Sequence, residues 1–304
     1  ALGFKFRKAK GFERRLLKLS RVLAITCILW GTLTTSFFGI EEKPNLPEIS
    51  QIADSRNCLN CKNPLAYTLI LSAHEGHYSC QNCDFKRPQA KTTATKLQFT
   101  KEYTTSLNLK IKSQNYQIKY GLPGLYNAYN ILAAAALADT LEMDHAKIVE
   151  KIKGFSAAFG RFQKLNIAGK DITIFLIKNP AGANEVIRTL SINNNLSVLA
   201  MLNDRIADGK DVSWIWDTNW EILIPQIANL TISGTRAWDL ATRFKYAGYK
   251  LNEQSVEPDI KTSLEKSIKN LNSNDNLIVI PTYTAMLEMQ NYIKKETGAK
   301  WQNE

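Results

Sequence analysis

The sequence has no internal repeat and no low-complexity tract, which argues against a repeat array and against a biased, unfolded chain. Hydrophobic residues make up 44% of it and charged residues 22%, the profile of a folded protein. A chain of 304 residues is long enough for two domains and a small insert.

Acidic residues are few relative to basic ones, with 28 Asp and Glu against 39 Lys and Arg, so the formal net charge is +11. The excess is concentrated near the start, at Lys5, Arg7, Lys8, Lys10, Arg14, Arg15, Lys18 and Arg21. Such a cluster points to an anionic partner, namely a phosphate, a membrane surface or a nucleic acid. A solvated helix face at a chain end explains the same charges equally well.

Cysteine is scarce, with five residues, and its placement argues against a secreted disulfide framework. Cys27 stands alone, and the other four form two Cys-x-x-Cys pairs at Cys58, Cys61, Cys80 and Cys83. Paired thiolates at this spacing indicate a metal site in a reducing compartment, so we expect a cytoplasmic protein.

The two cysteine pairs predict a closed tetrahedral zinc site around a hairpin, and its role would be to fold a module that lacks a core. A redox dithiol is the alternative interpretation. His74 and His77 lie between the pairs and either replace a ligand or lie on the surface.

Residues 22–40 form an uncharged run behind basic residues, about the length of a membrane span. Five Ser or Thr residues and two Gly within the run argue against a membrane anchor. An anchor of this orientation would also place the cysteine pairs outside the cytoplasm, yet the sequence leaves both interpretations open.

The pattern of apolar residues predicts an α/β fold. Pro44 and Pro47 indicate a linker, residues 95–120 alternate like an antiparallel strand pair, and an alanine-rich helix follows Gly124. A second helix is expected from Asp144 to Phe155. Beyond Asp171, strands and helices alternate, which predicts a mostly parallel sheet covered on both faces. The expected order is a strand at 172–177, a helix at 183–190, strands at 197–202 and near Ile222, a helix at 237–246, a strand at 277–283 and a last helix.

Two further groups of residues are candidates for binding. Asn127 and Asn130 share one helix face and suit a base edge or a phosphate, although helix capping explains them equally well. Arg161 after Gly160 suits a phosphate, or it is an ordinary surface arginine.

The loop at 203–217 follows a predicted parallel strand, and ligands of open α/β sheets bind beyond the carboxyl ends of such strands. Its carboxylates and tryptophans would hold a metal, orient a histidine, contact a partner, or simply be solvated. They are Asp204, Asp208, Asp211, Asp217, Trp214 and Trp216.

Several motifs, in order behind the four cysteines, resemble the MurT family of Mur-ligase relatives over roughly residues 37–300. They are PGLYNAYNILAAAALA, FGRF, IKNPAGANEV, NDRIADGKDVSWIWD, SGTRAWDLATRFKYAG and IPTYTAML. The resemblance implies a remnant Mur-ligase central domain with an inserted four-cysteine zinc ribbon, then a Rossmann-like C-terminal α/β domain. The implied divisions are an N-terminal segment and linker at 1–53, the ribbon at 54–90, the rest of the central domain at 91–165 and the C-terminal domain at 166–304.

The resemblance also implies an activity. Members use ATP and Mg²⁺ to amidate the α-carboxylate of D-glutamate in the cell-wall precursor lipid II at the inner face of the membrane. The ammonia comes from a glutamine amidotransferase partner of the GatD type. By this likeness, Asn127 and Asn130 contact the nucleotide base, Arg161 its phosphates, and Asn179 the domain hinge. Asp211 would complete a catalytic triad in the partner, ahead of Asp204 and Asp217.

One family motif is missing from the sequence. Members carry a phosphate-binding loop Gly-Thr-x-Gly-Lys-Thr, whereas the nearest string here, Gly31 to Ser36, lacks the second glycine and the lysine. We therefore expect either a truncated or spliced ligase subunit, or a scaffold that regulates the amidotransferase without ATP chemistry. Nucleic acid is not expected as a partner, because the aromatic residues Tyr67, Tyr78 and Phe85 are few and scattered.

Overall fold

The computed structural model describes residues 36–48, 56–73, 75–155, 162–272 and 275–297. The expectations for the basic head, Cys27, His74 and Arg161 lie outside these ranges.

The described residues form three sheets and seven α-helices. The strands are β1 (Phe38–Ile40), β2 (Leu65–Ser72), β3 (Glu75–Cys80), β4 (Thr92–Phe99), β5 (Thr105–Ile111), β6 (Gln114–Tyr120), β7 (Phe162–Ile167), β8 (Lys170–Phe175), β9 (Leu196–Met201), β10 (Ile227–Ser233) and β11 (Asn276–Pro281). The α-helices are α1 (Leu125–Thr140), α2 (His145–Lys153), α3 (Pro180–Leu190), α4 (Trp220–Leu223), α5 (Ala237–Tyr246), α6 (Ile260–Lys269) and α7 (Tyr283–Thr297).

The first sheet has the order β1-β4-β5-β6, with β1 parallel to β4 and the other pairs antiparallel. Every second residue of β5 is buried, which is the alternation of a sheet with one face on a core. The predicted strand pair is therefore confirmed. Its turn lies at Lys112 and Ser113, because Ile111 pairs with Gln114.

Helix α1 covers the first sheet, and β1, β4 and β5 all contact it. Its fully buried residues include Leu125 and Leu132. Helix α2 begins after Asp144, whose carboxylate accepts a hydrogen bond from the N–H of Lys147 and caps the helix. Both helices match the sequence expectation to within about two residues at their ends.

The second sheet has the order β10-β9-β11-β8-β7, and its strands are parallel except for β7. Neighbouring residues of one strand lie in different cores. Val198 and Ala200 pack in the core shared with the first sheet, whereas Leu199 and Met201 pack in the core beneath α6 and α7. This confirms the predicted parallel sheet covered on both faces.

Two segments differ from the sequence expectation. The strand predicted near Ile222 is wrong, because that residue lies in α4, where Trp220 and Leu223 are fully buried one helical turn apart. The strand begins at Ile227, after Pro225. The segment around Pro44, predicted as a linker, is attached to the first sheet. Asn45 exchanges two hydrogen bonds with the backbone of Phe99 at the end of β4.

The division of the chain near residue 165 stays a prediction, and β7 runs across that position. Of the apolar run at 22–40, residues 22–35 lie outside the described ranges, and Phe38–Ile40 form β1. No helix within the described part of the chain combines the length and the apolar character needed to cross a membrane.

Candidate functional site

The four paired cysteines converge at the base of the hairpin of β2 and β3. The sulfur atoms of Cys58, Cys61, Cys80 and Cys83 all lie within 4.8 Å of one another. Cys58 and Cys83 are 3.5 Å apart, Cys61 and Cys80 3.4 Å, and none of the four forms a disulfide. Tetrahedral zinc with bonds of about 2.3 Å separates its sulfur ligands by about 3.8 Å, so this cluster has the size such an ion requires.

The backbone around the cluster favours thiolates. The N–H of Asn60 points at the sulfur of Cys58, and the N–H of Asn82 at that of Cys80, each at 3.4 Å. Hydrogen bonds from the backbone and side chain of Asn63 lower the pKa of Cys61 to about 5. The backbone of Phe85 lowers the pKa of Cys83, but burial and hydrogen bonds with the other thiols outweigh it and raise that pKa to about 12. A metal binds the thiolate rather than the thiol, so these donors suit a metal site.

His77 is not at the cysteine cluster. Its Nε2 lies 2.9 Å from the carbonyl oxygen of Ile40 in β1, and 3.4 Å from a carboxylate oxygen of Glu41. The histidine therefore connects the hairpin to the first sheet. His77 therefore does not replace a cysteine ligand, and its side chain is 24% exposed.

The aromatic residues of the hairpin are not scattered as the sequence analysis assumed. The ring centroids of Tyr67 and Tyr78 are 6.1 Å apart, and Tyr78 stacks on Phe85 at 5.7 Å. Cross-strand pairing joins residues that are eleven positions apart in the sequence. The three rings lie together but remain few, and the absence of a nucleic-acid partner stays a prediction.

Asn127 and Asn130 line a groove of about 560 Å³ between α1 and α2. The Nδ2 of Asn127 donates to the carbonyl oxygen of Pro123 at 2.7 Å, whereas the start of α1 has no side-chain cap. Asn130 is exposed. The remaining lining is mostly apolar, with Tyr126, Phe155 and Phe162 as aromatic members and no carboxylate.

A polar cluster lies at the carboxyl ends of β9, β10 and β11, and Asn203 is its centre. Its side chain accepts from the N–H of Thr235 at 2.9 Å and donates to the hydroxyl of Thr284 at 3.1 Å. Its own N–H donates to the hydroxyl of Thr282 at 2.9 Å. One buried amide therefore joins the loops that follow three parallel strands, at the edge where α/β sheets bind ligands.

Asp204 belongs to the same cluster. Its carboxylate accepts from the hydroxyl of Thr235 at 2.9 Å, and this bond lowers the pKa of Asp204. The guanidinium of Arg236 lies 3.5 Å from it and forms a two-point pair with Asp239 at 2.7 and 3.0 Å. Gly234 lets the backbone after β10 approach Leu202 closely. Its φ is +101°, and a side chain there would collide with the carbonyl oxygen of Leu202.

The other loop carboxylates have separate partners. Asp208 accepts hydrogen bonds from the N–H and the hydroxyl of Thr284. Asp211 is exposed and accepts from the N–H of Ser213 at 2.8 Å. Hydrogen bonds from the side chain and the N–H of Ser213 lower the pKa of Asp211, so it is ionised at neutral pH. Within the described ranges, the four cysteines alone bring three or more potential metal ligands together, so the loop carboxylates do not form a metal site there.

Two buried side chains hold the segment that follows Asp211. Arg243 donates to the carbonyl oxygens of Ile215 at 3.2 Å and Thr218 at 2.7 Å. Asn184 donates to the carbonyl oxygen of Asp217 at 3.3 Å and accepts from the N–H of Asn219 at 2.7 Å. The loop is therefore a fixed structure rather than a solvated connection.

Large apolar side chains are exposed on and beside this loop. Ile206 is 94% exposed, Trp238 63% and Tyr246 75%. The ring of Trp216 contacts Tyr246 at a centroid distance of 5.6 Å and lies 5.5 Å from the guanidinium of Arg243. Exposed aromatic residues on a rigid surface are typical of protein interfaces.

Asn179 lies after β8 and caps α3, accepting from the N–H of Gly182 at 2.8 Å. It is exposed at the sheet edge that carries the polar cluster. The hydroxyls of Thr282 and Thr284, which join this cluster, were not predicted as site residues. Their position directly after a buried strand was the signal that could have found them.

The sequence matches two protein-family models, Mur ligase middle domain over residues 49–138 and MurT ligase C-terminal over residues 176–286. It is 36% identical over 241 residues to the MurT subunit of the glutamine-hydrolysing lipid II isoglutaminyl synthase of Streptococcus pneumoniae, covering 77% of this chain and 51% of that one. The corresponding Staphylococcus aureus subunit is 33% identical over 261 residues, covering 84% and 56%. The chain thus spans about half the length of these relatives.

Solved structures show the same fold at lower identity. A pseudomurein peptide ligase type C from Methanothermus fervidus superposes with a TM-score of 0.61 at 23% identity, over 86% of this chain and 53% of that one. MurF from Acinetobacter baumannii gives a TM-score of 0.53 at 17% identity, over 66% and 46%. These structures show the fold, and the two family matches together with the MurT relatives at 36% and 33% identity show that the chain belongs to the MurT branch of the Mur ligase family.

Proposed function

We propose that this chain acts in an ATP-dependent amide-forming ligase of peptidoglycan synthesis, which amidates the α-carboxylate of D-glutamate in lipid II. The observation that carries the proposal is the Asp211 loop. In the part of the chain that matches the MurT C-terminal family, it presents an ionised, exposed carboxylate on a fixed segment beside exposed aromatic residues.

The chemistry requires activation, because a carboxylate is a poor electrophile. Transfer of the γ-phosphoryl group of ATP to the carboxylate gives an acyl phosphate and ADP. Ammonia then attacks the carbonyl carbon, phosphate leaves, and the amide of D-isoglutamine remains. Ammonia is the product of glutamine hydrolysis, so a GatD-type amidotransferase is the proposed partner.

The α1–α2 groove suits the nucleotide base. Its apolar lining with Tyr126 and Phe162 accommodates a flat ring, and the amide of Asn130 offers a donor and an acceptor to its edge. In this proposal Asn127 lies beside the base, Arg161 near the phosphates and Asn179 at the hinge facing the nucleotide. The groove lining has no carboxylate, so the residues present there do not supply Mg²⁺ ligands.

Asp211 is proposed to act through the partner. An aspartate beside the catalytic histidine of a cysteine-histidine amidotransferase fixes the histidine tautomer and stabilises the imidazolium. The exposed Trp216, Trp238 and Tyr246 would form part of the docking surface that brings Asp211 to that histidine. Asp211 is thus a positioning residue for glutamine hydrolysis.

Zinc is the metal proposed for the four cysteines, because four thiolates at these separations leave no open position for water. Such a site is structural, and it supports the hairpin rather than the reaction. A protein with reduced cysteines would act in the cytoplasm, where lipid II is accessible at the inner face of the membrane.

The test uses the complex with the amidotransferase and the substitution Asp211→Asn. Glutamine hydrolysis should fall by about 10⁴-fold, as for the equivalent change in a serine-protease triad. Complex formation and Mg-ATP binding by calorimetry should persist. Asp217→Asn, another exposed carboxylate in the loop, is the matched control. Unchanged hydrolysis in Asp211→Asn would refute the triad role, and no ATP binding in the wild-type complex would refute the ligase.

A further inference from the structure

Helix α3 is buried on every side after its first turn. All eight residues from Ala183 to Leu190 are buried, although four of them are polar, namely Asn184, Glu185, Arg188 and Thr189. Buried polar groups require partners. The hydroxyl of Thr189 bonds within the helix, to the carbonyl of Glu185 at 2.8 Å. Asn184, Glu185 and Arg188 instead make contacts outside the helix.

Arg188 and Glu185 contact the tip of the cysteine hairpin and the segment that precedes it. The Nε of Arg188 donates to the carbonyl oxygen of Pro47 at 2.7 Å, and its Nη1 donates to that of Leu71 at 2.9 Å. Glu185 lies 3.6 Å from the guanidinium and accepts from the hydroxyl of Ser72 at 3.4 Å. Arg188 is only 2% exposed, so these acceptors replace the water that its charge would otherwise require.

Asn184 lies one helical turn before Arg188, about 6 Å along the helix axis. It makes the two bonds described above to the backbone of Asp217 and Asn219, at the end of the loop that begins with Asp211. Asn184 is 3% exposed. Helix α3 therefore contacts both segments directly. Arg188 binds the hairpin, and Asn184 binds the end of the loop.

We propose that Arg188 and Asn184 are positioning residues through which α3 couples the order of the cysteine hairpin to the order of the Asp211 loop. If the hairpin tip leaves, Arg188 loses the carbonyl oxygen of Leu71, one of its two carbonyl acceptors, and Glu185 loses the hydroxyl of Ser72. The helix must then shift or admit water at that turn. Asn184, one turn away, then loses its hydrogen bonds to the backbone of Asp217 and Asn219. Any consequence for glutamine hydrolysis rests on the proposed function, whereas the coupling itself does not.

The test is amide hydrogen exchange on the full chain with the substitution Arg188→Met. Exchange should accelerate about tenfold or more at the hairpin tip and also at the N–H groups of Ser213 and Ile215, which Arg188 does not touch. Exchange in α6, which packs on the opposite face of the second sheet from α3, should not change. Arg56→Met is the matched control, because Arg56 donates to the carbonyl of Ala73 at the same tip from an exposed position.

Coupling is reciprocal, so Asn184→Ala should accelerate exchange at the hairpin tip as well as in the loop. If Arg188→Met does not fold, Arg188→Lys keeps the charge but loses the two-point geometry, and it should show the same pattern more weakly. A loosened hairpin tip with unchanged exchange at Ser213 and Ile215 would overturn the proposal. Because exchange needs neither ATP nor the partner, its result stands apart from that of the Asp211→Asn assay.

Discussion

The cysteine hairpin and the five-stranded sheet bury very different amounts of apolar surface. Between residues 56 and 88, Leu71 is the single buried apolar side chain besides Cys58 and Cys80 among the described residues. In the sheet, β9 and β11 place side chains in two separate cores. A two-stranded hairpin is marginal in water, so this segment depends on cross-links and docking, whereas the sheet depends on packing.

The largest effect is expected when a cross-link is removed from the hairpin. Structural zinc contributes about 10–16 kcal/mol in small zinc-binding modules, so Cys61→Ser should cost several kcal/mol there. The zinc proposed for this cluster, measured by elemental analysis, should be lost, and limited proteolysis should cut between residues 65 and 80. Leu59→Ser, at an exposed position of the same knuckle, should change neither. Protease resistance without metal in Cys61→Ser would show that docking alone orders the hairpin.

A smaller effect, confined to the sheet, is expected from Phe244→Ala. Phe244 is fully buried, and its ring centroid lies 4.7 Å from that of Trp220. The cavity should lower the free energy of unfolding by about 3–5 kcal/mol, measured by urea denaturation, with zinc content unchanged. Tyr246→Ala, two residues later and 75% exposed, should cost less than about 1 kcal/mol. If both substitutions lowered the free energy of unfolding equally, the stability of this part of the chain would not depend on packing.

The smallest effect is expected where the hairpin meets the first sheet. Arg87 forms a two-point pair with Glu41 at 2.7 and 3.1 Å, and the two side chains are 21% and 29% exposed. Arg87→Gln should cost about 1 kcal/mol or less in thermal unfolding, and the difference should shrink at high salt. Exposed Lys86 supplies the control, Lys86→Gln, for which no change is expected. If Arg87→Gln lowered stability as much as Cys61→Ser, this ion pair rather than the thiols would contribute most to the stability of the hairpin.

Much of the fold was predictable because it depends on local patterns. Alternation identified β5 and β6, alanine-rich apolar spacing identified α1, and continuous apolar runs identified β9 and β11. The strand β10 was misplaced because its pattern is mixed, with Ala228 and Asn229 exposed, while the neighbouring apolar run at 220–224 is helical. Local periodicity does not separate a short buried helix from a strand.

The candidate sites were predictable in part. The cysteine cluster formed as expected, because its spacing and hairpin are local. The loop carboxylates did not converge, since Asp204, Asp208 and Asp211 each bind a different hydroxyl or N–H group. Thr282 and Thr284 join that loop only because β11 lies beside β9, an adjacency that the sequence order does not contain.

The sequence by itself determined the cysteine hairpin, the α/β class and the resemblance to the MurT family, because these depend on residue types at short spacings. The tertiary structure decided which side chains meet. Strand order brought Asn203 to Thr235, Thr282 and Thr284, and burial of α3 turned Asn184 and Arg188 into contacts with two distant segments. These are long-range contacts, and they are set by the need to partner every buried polar group rather than by any local pattern.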